Sequence, residues 1–278
     1  LEEIPRYGSR HGQLLFKQVW VTSELFHEFM GRHTGRIVLL SATYPPLPVL
    51  CRQLGIDIDD VEGGQIYDVP TTFDPEKAPV YLWPVASLSY ANMETETPKI
   101  INAIKKILKR HPGQRGVIHC TSYALGQKIA SGVNSPRLIT HTSETRQEVI
   151  SGFTDEHSTK YADDAVLVSP SAERGLDLRE NLCRFIVITK GPFKSLNDKV
   201  VNARLYSSGE VGKLWYESDM MCTCEQDAGR GVRSKNDTCT IYILDQKVED
   251  LFLKKPSLWS KNFREQVDVW SKNELLDN

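Results

Sequence analysis

The sequence predicts an α/β fold, doubly wound around a mostly parallel sheet with helices on both faces. Short runs rich in Val, Ile and Leu alternate with amphipathic stretches, the order that strands and crossover helices produce. Most of these runs are apolar at every position, as expected for strands buried on both faces. The 278 residues are 40% apolar and 25% charged, which is typical of a globular domain with a sizeable core.

Seven segments are predicted to be strands, because each is a short apolar run bounded by polar or turn residues. The predicted strands are 36–42, 78–85, 115–120, 137–141, 164–169, 184–190 and 238–245. Repetition of strand, helix and strand implies right-handed crossovers. The polar segment 55–79 interrupts this alternation and indicates a linker or domain boundary.

The best-defined helix is predicted over 98–110. Thr97 is its expected N-cap and Pro98 its first helical residue. Isoleucines form one apolar stripe, cations crowd the last turns, where the helix dipole favours them, and Gly113 follows the predicted end. Further helices are predicted at 22–32, 47–54, 122–131, 143–153, 208–221 and 261–271.

Composition narrows the function classes. The net charge of −2 gives no global basic field, so any contact with nucleic acid must come from a local patch. No apolar stretch approaches ~20 residues, so the sequence predicts no transmembrane helix. The six cysteines include no C-x-x-C pair, which predicts buried, reduced thiols in an intracellular protein rather than a metal site.

In an open parallel sheet, functional residues gather in the loops that follow the strands. Ser122 follows the segment 115–120, and Ser143 follows 137–141. Each serine is either a helix cap or a phosphate contact at a helix N-terminus. The sequence leaves both interpretations open.

The loop after the segment 164–169 is denser in polar groups than a simple turn requires. It runs from Ser169 through Glu173 and Gly175 to Asp177. Gly175 allows a ligand to approach the backbone closely, and Asp177 has acceptors for a ribose hydroxyl or a water. A well-made loop without a ligand explains the pattern equally well.

The strongest functional signal is the stretch CEQDAGRGVRSK, residues 224–235. Gln226, Gly229, Arg230 and Arg233 fit the pattern Q-x-x-G-R-x-x-R and would share one face of a helix. Guanidinium groups are always charged and bind phosphate oxygens in a forked geometry, which suits phosphoryl transfer. The alternative is a solvated basic face paired with Glu225 and Asp227, but such a face needs no glycine inside a helix, at a cost of roughly 1 kcal/mol relative to alanine.

The other parts of an NTP-hydrolysing site are missing from the sequence. There is no G-x-x-x-x-G-K-[ST] phosphate loop, and no apolar strand ends in Asp-Glu. Asp245, at the end of the segment 238–245, is interpreted as a strand terminus or a helix cap. The chain has arginines suited to a nucleotide and no cradle for it, which predicts one half of a two-part machine.

Several further stretches lie in a specific order between about residues 36 and 245: LLSATYPPLPVLCRQLG, VPTTFDP, RGVIHCTSY, THTSETRQEVISGF, SPSAERGLDL, KGPFKSLNDKVVNAR and QDAGRGVRSKNDTCTIYILD. In the same order they resemble the S-[AG]-T motif, the V-x-S-x-F segment, motif IV, the segment after it, motif V, the L-P-F stretch and motif VI of superfamily 2 helicases of the DinG/XPD type. Each match is weak singly. Their order makes the chain similar to the second RecA-like motor domain of that family.

Two departures from the family pattern stand out. Arg174 separates Glu173 from Gly175, where the family usually reads E-G-x-D. The role of Glu173 is therefore less well supported than that of Asp177. Lys190 and the residue after it replace the usual Leu before Pro-Phe.

The resemblance implies a role for each candidate residue. Arg230 and Arg233 would reach the γ-phosphate of ATP as catalytic arginines, with Gln226 and Gly229 also at the nucleotide. ATP and Mg²⁺ would be bound mainly by an N-terminal motor domain of the same protein.

The nucleotide would be linked to the nucleic acid through Gly175, Asp177 and, with less support, Glu173. The nucleic-acid contacts implied by the resemblance are Ser122, Thr142 and Ser169, placed on the backbone of single-stranded DNA or a duplex junction, with 5′→3′ translocation.

The resemblance also divides the chain. Residues 1–65 would be a remnant of the first motor domain plus a linker, and 66–278 the second RecA-like domain. The N-terminus has no starting Met and no signal-peptide pattern, which suggests a piece of a longer protein. Iron–sulfur cysteines of the family belong to the first motor domain, so no cluster is expected in this chain.

Three alternatives remain open at this point. The chain is a helicase-like module that binds nucleic acid without hydrolysing ATP, or a different nucleotide-dependent enzyme that is complete in these 278 residues. The third alternative is RNA as the substrate in place of DNA.

We expect the isolated 278-residue chain to hydrolyse no ATP, because its sequence lacks the phosphate loop that holds the nucleotide. A coupled ATPase assay with and without single-stranded DNA measures this. Hydrolysis by this chain alone that depended on Arg230 would contradict the two-part interpretation.

Overall fold

The structure is a computed structural model, and it divides into two compact units. One unit comprises residues 1–67 together with 193–219, and the other comprises 68–192 and 220–278. The residues it describes are 2–4, 13–15, 18–34, 36–57, 69, 73–89, 91–155, 157–170, 178 and 180–268. That the first part is a remnant of another motor domain stays a prediction.

The second unit contains a seven-stranded sheet in the order β5-β6-β4-β7-β8-β3-β9. All of its recorded strand pairs are parallel. The strands are β3 (Val80–Ala86), β4 (Gly116–His119), β5 (Leu138–Thr140), β6 (Val166–Ser169), β7 (Phe185–Ile188), β8 (Thr240–Asp245) and β9 (Val267–Asp268). In the first unit, β1 (Glu2–Ile4) pairs with β2 (Gln13–Leu15) in an antiparallel hairpin.

Six of the seven predicted strands are confirmed, and the prediction for 36–42 is wrong. Residues 36–41 have no regular secondary structure. Val38 and Leu40 are 81% and 91% exposed. A strand is stabilised by its neighbours, and among the described residues no strand pairs with this apolar run.

Each predicted helix has a counterpart, in most cases with shifted ends, whereas the helices Lys199–Ser207 and Gln246–Lys254 lie where the sequence predicts none. The described helices are α1 (Ser23–Phe26), continued by a π-helical turn (His27–Gly31), α2 (Leu47–Leu54), α3 (Met93–Arg110), α4 (Tyr123–Val133), α5 (Arg146–Thr154), α6 (Lys199–Ser207), α7 (Gly209–Ala228), α8 (Gln246–Lys254) and α9 (Lys261–Gln266). Short 3₁₀ turns lie at Pro75–Lys77, Glu180–Leu182 and Pro256–Leu258.

The predicted start of α3 is wrong. The helix begins at Met93, and Pro98 lies inside it. Asn92 sets the turn before the helix, because its Oδ1 accepts from the backbone N–H of Ser89 at 2.6 Å. Thr97 is buried and its hydroxyl donates to the Met93 carbonyl at 2.5 Å, so it is not the N-cap.

The start of α5 is also displaced from the prediction, since Thr145 rather than Ser143 holds the N-cap position.

The main core lies between the sheet and helices α3 and α4. Strands β4, β6 and β7 are buried at every position, as strands covered on both faces must be. The isoleucine stripe of α3 is buried at Ile100, Ile104 and Ile107 and packs in the same cluster. Burial of this stripe confirms the amphipathic character predicted for α3.

The first unit has a small core built around two indoles. Trp20 and Trp215 meet edge to face with ring centroids 5.8 Å apart. The Arg204 guanidinium lies over both rings, and its Nε donates to the Val19 carbonyl. The Trp20 indole N–H donates to the Ser208 hydroxyl at 2.6 Å, whereas the buried Trp215 indole nitrogen has no hydrogen-bond partner among the described residues.

Five of the six cysteines are buried, as predicted, and Cys222 is half-buried. Burial raises the pKa of Cys120 to about 12 and that of Cys224 well above its ordinary value, so these thiols are inert at neutral pH. No helix in the described ranges combines the length and apolar character needed to cross a bilayer.

A buried histidine contacts side chains of β7 and β8 in the core. His111 stacks on Phe185, and its Nδ1 lies 2.7 Å from Gln114 Oε1. Since Oε1 only accepts, Nδ1 carries the proton, and Nε2 accepts from the Tyr242 hydroxyl at 3.0 Å. Burial lowers the pKa of His111 below its ordinary 6.5, because the charged imidazole loses its hydration.

We expect His111 to make the fold sensitive to acid. Its folded pKa is lowered, so its contribution to stability is complete above the unfolded pKa of 6.5 and is lost as the pH falls from 6.5 through the lower folded pKa. The loss has a slope of at most about 1.4 kcal/mol per pH unit. Urea unfolding across this pH range measures it.

The variant His111→Gln should flatten that pH dependence. The exposed His157 provides the control, because His157→Gln leaves the buried imidazole in place. Equal pH profiles for the wild-type chain and His111→Gln would contradict the assignment.

Candidate functional site

The carboxyl ends of the parallel strands meet at one edge of the sheet, and the candidate residues gather there. In the ladder, His119 at the end of β4 pairs with Ser169 at the end of β6 and with Ile188 at the end of β7. The carboxyl ends of β4, β5, β6, β7 and β8 therefore lie at the same edge.

The arginine stretch does not continue the helix as the sequence predicted. Helix α7 ends at Ala228, and Gly229 and Arg230 form a turn. Gln226 is exposed in the last turn of α7, while Arg233 is exposed in the loop beyond it. The argument from a glycine inside a helix is therefore wrong, because Gly229 follows the last helical residue.

Close packing in this loop falls on Gly231. A Cβ built there would lie 2.1 Å from Cys239 Sγ and 2.5 Å from its Cβ, which no side-chain adjustment relieves. At Gly229 the nearest atom to such a Cβ is the Glu225 carbonyl oxygen, at 3.3 Å. The glycine that lets the loop pack against the sheet is therefore the second one in GRGVR.

Arg230 lies in a buried polar cluster. Its Nε is 4.0 Å from Asp227 Oδ1, and the same oxygen is 3.6 Å from His119 Nδ1. The exposed fractions of the three side chains are 13%, 5% and 7% for Arg230, Asp227 and His119. Arg230 is therefore not part of a solvated basic face. Glu225 serves a different contact, accepting from the Ser260 backbone N–H at 2.8 Å.

The backbone around Arg233 is held by a second buried carboxylate, Asp237. Its Oδ2 accepts from the Arg233 N–H at 3.2 Å and from the Glu180 N–H at 3.1 Å. Its Oδ1 accepts from the Arg184 guanidinium at 3.1 Å. These bonds fix the loop and leave the Arg233 side chain exposed.

Ser122 and Thr142 both occupy exposed loop ends at this edge. Ser122 is the N-cap of α4, and its Oγ accepts from the Leu125 N–H at 3.2 Å. Thr142 exchanges hydrogen bonds with Thr145, whose Oγ1 accepts from the Thr142 N–H at 3.0 Å. The capping interpretation holds for Ser122, and a cap leaves a hydroxyl able to donate to an added ligand.

Ser169 is fully buried, unlike the other two hydroxyl residues. Its Oγ lies 2.8 Å from Nε2 of the buried His141, whose Nδ1 lies 3.0 Å from the Thr142 carbonyl. In the neutral imidazole, Nδ1 donates to that carbonyl and Nε2 accepts from Ser169. Ser169 thus supports the loop that carries Thr142.

Asp245 caps α8, one of the two roles predicted for it. Its Oδ1 accepts from the Lys247 N–H at 3.0 Å, and its Oδ2 accepts from the Gly191 N–H at 2.7 Å. Burial raises the pKa of Asp245 and lowers the pKa of the neighbouring Lys190, while the attraction between them opposes both shifts. Asp245 thereby ties the loop after β7 to the end of β8.

Three predicted nucleotide-linked residues lie outside the described residues: Glu173, Gly175 and Asp177.

The comparisons with known proteins decide the family. The model of the helicase C-terminal domain matches residues 104–263, more than half of the chain. The chain belongs to the helicase C-terminal domain family. The predicted DinG/XPD type is confirmed by this match together with the similar proteins.

Curated relatives of this helicase domain are ATP-dependent DNA helicases. YoaA of Escherichia coli K12 is 23% identical over 86% of this chain and 37% of its own length. XPD of Sulfolobus acidocaldarius is 24% identical over 48% of this chain and 25% of its own. CHL1 of Saccharomyces cerevisiae is 25% identical over 46% and 17%. The chain thus spans at most 37% of the length of these relatives.

Solved structures agree on the fold. A structure of XPD helicase aligns with 84% of this chain and 42% of its own, at 19% identity and a TM-score of 0.57. A structure of apo XPD aligns over 82% and 46%, also at 19% identity, with a TM-score of 0.56. The predicted parallel RecA-like fold is therefore confirmed.

The loop 229–233, which follows α7 and carries Arg230 and Arg233, is called the arginine loop below. Sequence reasoning missed the residues that build it. Asp227 was considered only as an acid on a solvated face, and His119, Gly231 and Asp237 were not considered. Gly231 carried a signal, since it repeats a glycine two residues after Gly229. The long-range pairing of His119 with Asp227 had no local sequence pattern.

We expect Gly231→Ala to destabilise the chain by about 1–3 kcal/mol, because the added methyl group meets Cys239. The matched control, Gly229→Ala, should cost less than about 1 kcal/mol, because its Cβ meets one carbonyl oxygen on an exposed turn. Urea unfolding of both variants measures the difference. Equal losses would contradict this placement of the loop.

Proposed function

We propose that this chain is the C-terminal motor half of an ATP-dependent DNA helicase that supplies arginine fingers to ATP bound mainly by an N-terminal motor domain. The observation that carries the proposal is the placement of Arg230. Its guanidinium is largely buried against Asp227 at the carboxyl edge of a RecA-like sheet. A positioned cation at this edge suits the negative charge of a transferred phosphoryl group.

Three side chains from the arginine loop and the end of α7 have a part in the proposal. Arg230 and Arg233 neutralise charge on the γ-phosphate, and Gln226 at the end of α7 contacts the nucleotide. The cationic donor set of this loop fits phosphate oxygens, which accept the forked guanidinium bonds. ATP supplies the free energy when bound, and Mg²⁺ is held by the N-terminal domain.

The same edge of the sheet offers a sequence-independent grip on nucleic acid. Ser122 presents a hydroxyl at the N-terminus of α4, and Thr142 does so ahead of α5. Hydroxyls and helix N-termini bind backbone phosphates without reading bases. Ser169 enters the proposal through His141, which bonds to both Ser169 and the Thr142 carbonyl.

The loop with Glu173, Gly175 and Asp177 is proposed to link the nucleotide to these contacts. Alternating closure over ATP then moves single-stranded DNA, with 5′→3′ polarity as part of the proposal.

An exposed apolar surface in the first unit supports a partner domain. Val38 and Leu40 are largely exposed, and Phe29, Ile37 and Leu39 line a wholly apolar cavity beside them. A contiguous apolar surface of this kind marks an interface. We propose that the N-terminal motor domain of the same protein covers it, in line with the greater length of the curated relatives.

The proposal is tested in the complete protein that contains this chain. We expect Arg230→Ala and Arg233→Ala each to lower kcat of DNA-stimulated ATP hydrolysis by roughly a thousandfold, the contribution typical of an arginine finger. Binding of single-stranded DNA should be largely retained, because the proposed DNA contacts lie in other loops.

The matched control is Arg110→Ala, an exposed arginine at the end of α3. It should leave kcat unchanged. Full ATPase activity in Arg230→Ala would refute the arginine-finger role, and DNA binding without any hydrolysis by the wild-type protein would favour a binding module.

A further inference from the structure

Buried side chains connect the turn after α7 with the end of β4. They belong to His119, Asp227 and Arg230. Asp227 Oδ1 lies 4.0 Å from Arg230 Nε and 3.6 Å from His119 Nδ1. The three residues come from the turn after α7, the last turn of α7 and the end of β4. The contact between Asp227 and Arg230 is local in sequence, whereas the contact between Asp227 and His119 joins distant segments.

The distances indicate an ion pair rather than a locked hydrogen bond. At 4.0 Å the contact between Arg230 and Asp227 exceeds hydrogen-bond length, so it orients the guanidinium by charge attraction. Asp227 is only 5% exposed, so water screens this attraction less than it would at the surface.

His119 extends the cluster to the nucleic-acid side. It is the last residue of β4, three residues before Ser122, the cap of α4. Its carbonyl oxygen is also fixed, since it accepts from the Thr189 N–H at 3.1 Å and the Thr189 hydroxyl at 2.8 Å. Because the His119 backbone is held in this way, its imidazole moves with the end of β4. A shift of that strand end would therefore move the imidazole against Asp227.

We infer that Asp227 is a positioning residue that orients Arg230 toward the nucleotide and, through His119, ties that orientation to the strand end leading to Ser122. The inference rests on the proposed function. In this inference Asp227 contacts neither the nucleotide nor the nucleic acid. It acts through Arg230 and His119. Chains of packed or charged groups of this kind carry energetic coupling between sites.

The first test uses Asp227→Asn in the complete protein. We expect kcat of DNA-stimulated ATP hydrolysis to fall about tenfold while KM for ATP changes less than about twofold, because a misaligned arginine loses interactions made in the transition state.

The matched control is Glu225→Gln, a buried carboxylate on the same helical turn that accepts from Ser260. It should lower the melting temperature without the kcat effect. Equal kcat losses in both variants, or an unchanged kcat in Asp227→Asn, would overturn the inference.

A double-variant cycle separates positioning from general damage. In an Arg230→Gln background, Asp227→Asn should cause no further loss of kcat, since the group that it orients is gone. Independent, additive losses would count against the inference.

The link to β4 is tested with His119→Gln. We expect the DNA concentration for half-maximal stimulation to rise several-fold, because His119 joins Asp227 to the strand end that leads to Ser122. An unaltered DNA dependence would remove His119 from the mechanism.

A further readout does not depend on enzymatic activity. In the 278-residue chain, the losses of melting temperature from Asp227→Asn and Arg230→Gln should be non-additive, because each removes the same contact. A complete wild-type protein without ATPase activity would refute the proposed function. The melting-temperature cycle would still report whether Asp227 and Arg230 interact. Additive losses of melting temperature would refute the contact itself.

Discussion

Parallel strand pairing is the constraint on which the rest of this structure depends. Because β4, β6, β7 and β8 run in the same direction, their carboxyl ends open at one edge of the sheet. Segments more than 100 residues apart in sequence, such as the β4 end and the arginine loop, are thereby brought into contact through His119 and Asp227.

Buried carboxylates organise that edge. Asp227 faces a guanidinium and an imidazole, Asp237 accepts from three backbone N–H groups and Arg184, and Asp245 accepts from two backbone N–H groups. A buried carboxylate is costly unless it is paired and hydrogen-bonded, so Asp237 and Asp245 fix the loops whose N–H groups donate to them. Asp237 thereby holds the backbone of the arginine loop at Arg233.

The apolar segment 36–41 shows the opposite case. Its composition favours a strand, yet its side chains are exposed in the described residues. β-propensity describes a fit to a half-buried pleated surface, and none of the described strands provides that surface to this segment. The same exposed residues are the ones that support the proposal of a covering domain.

The sequence by itself determined the fold class, six strands of the sheet and the order of motifs that places the chain among helicase C-terminal domains. These features follow from local apolar periodicity and short patterns, which need no knowledge of distant contacts. Only the tertiary structure decided that α7 ends before Arg230, that Gly231 rather than Gly229 is sterically required, and that His119 meets Asp227. Such features depend on which residues distant in sequence become neighbours, and the packing of the sheet decides that.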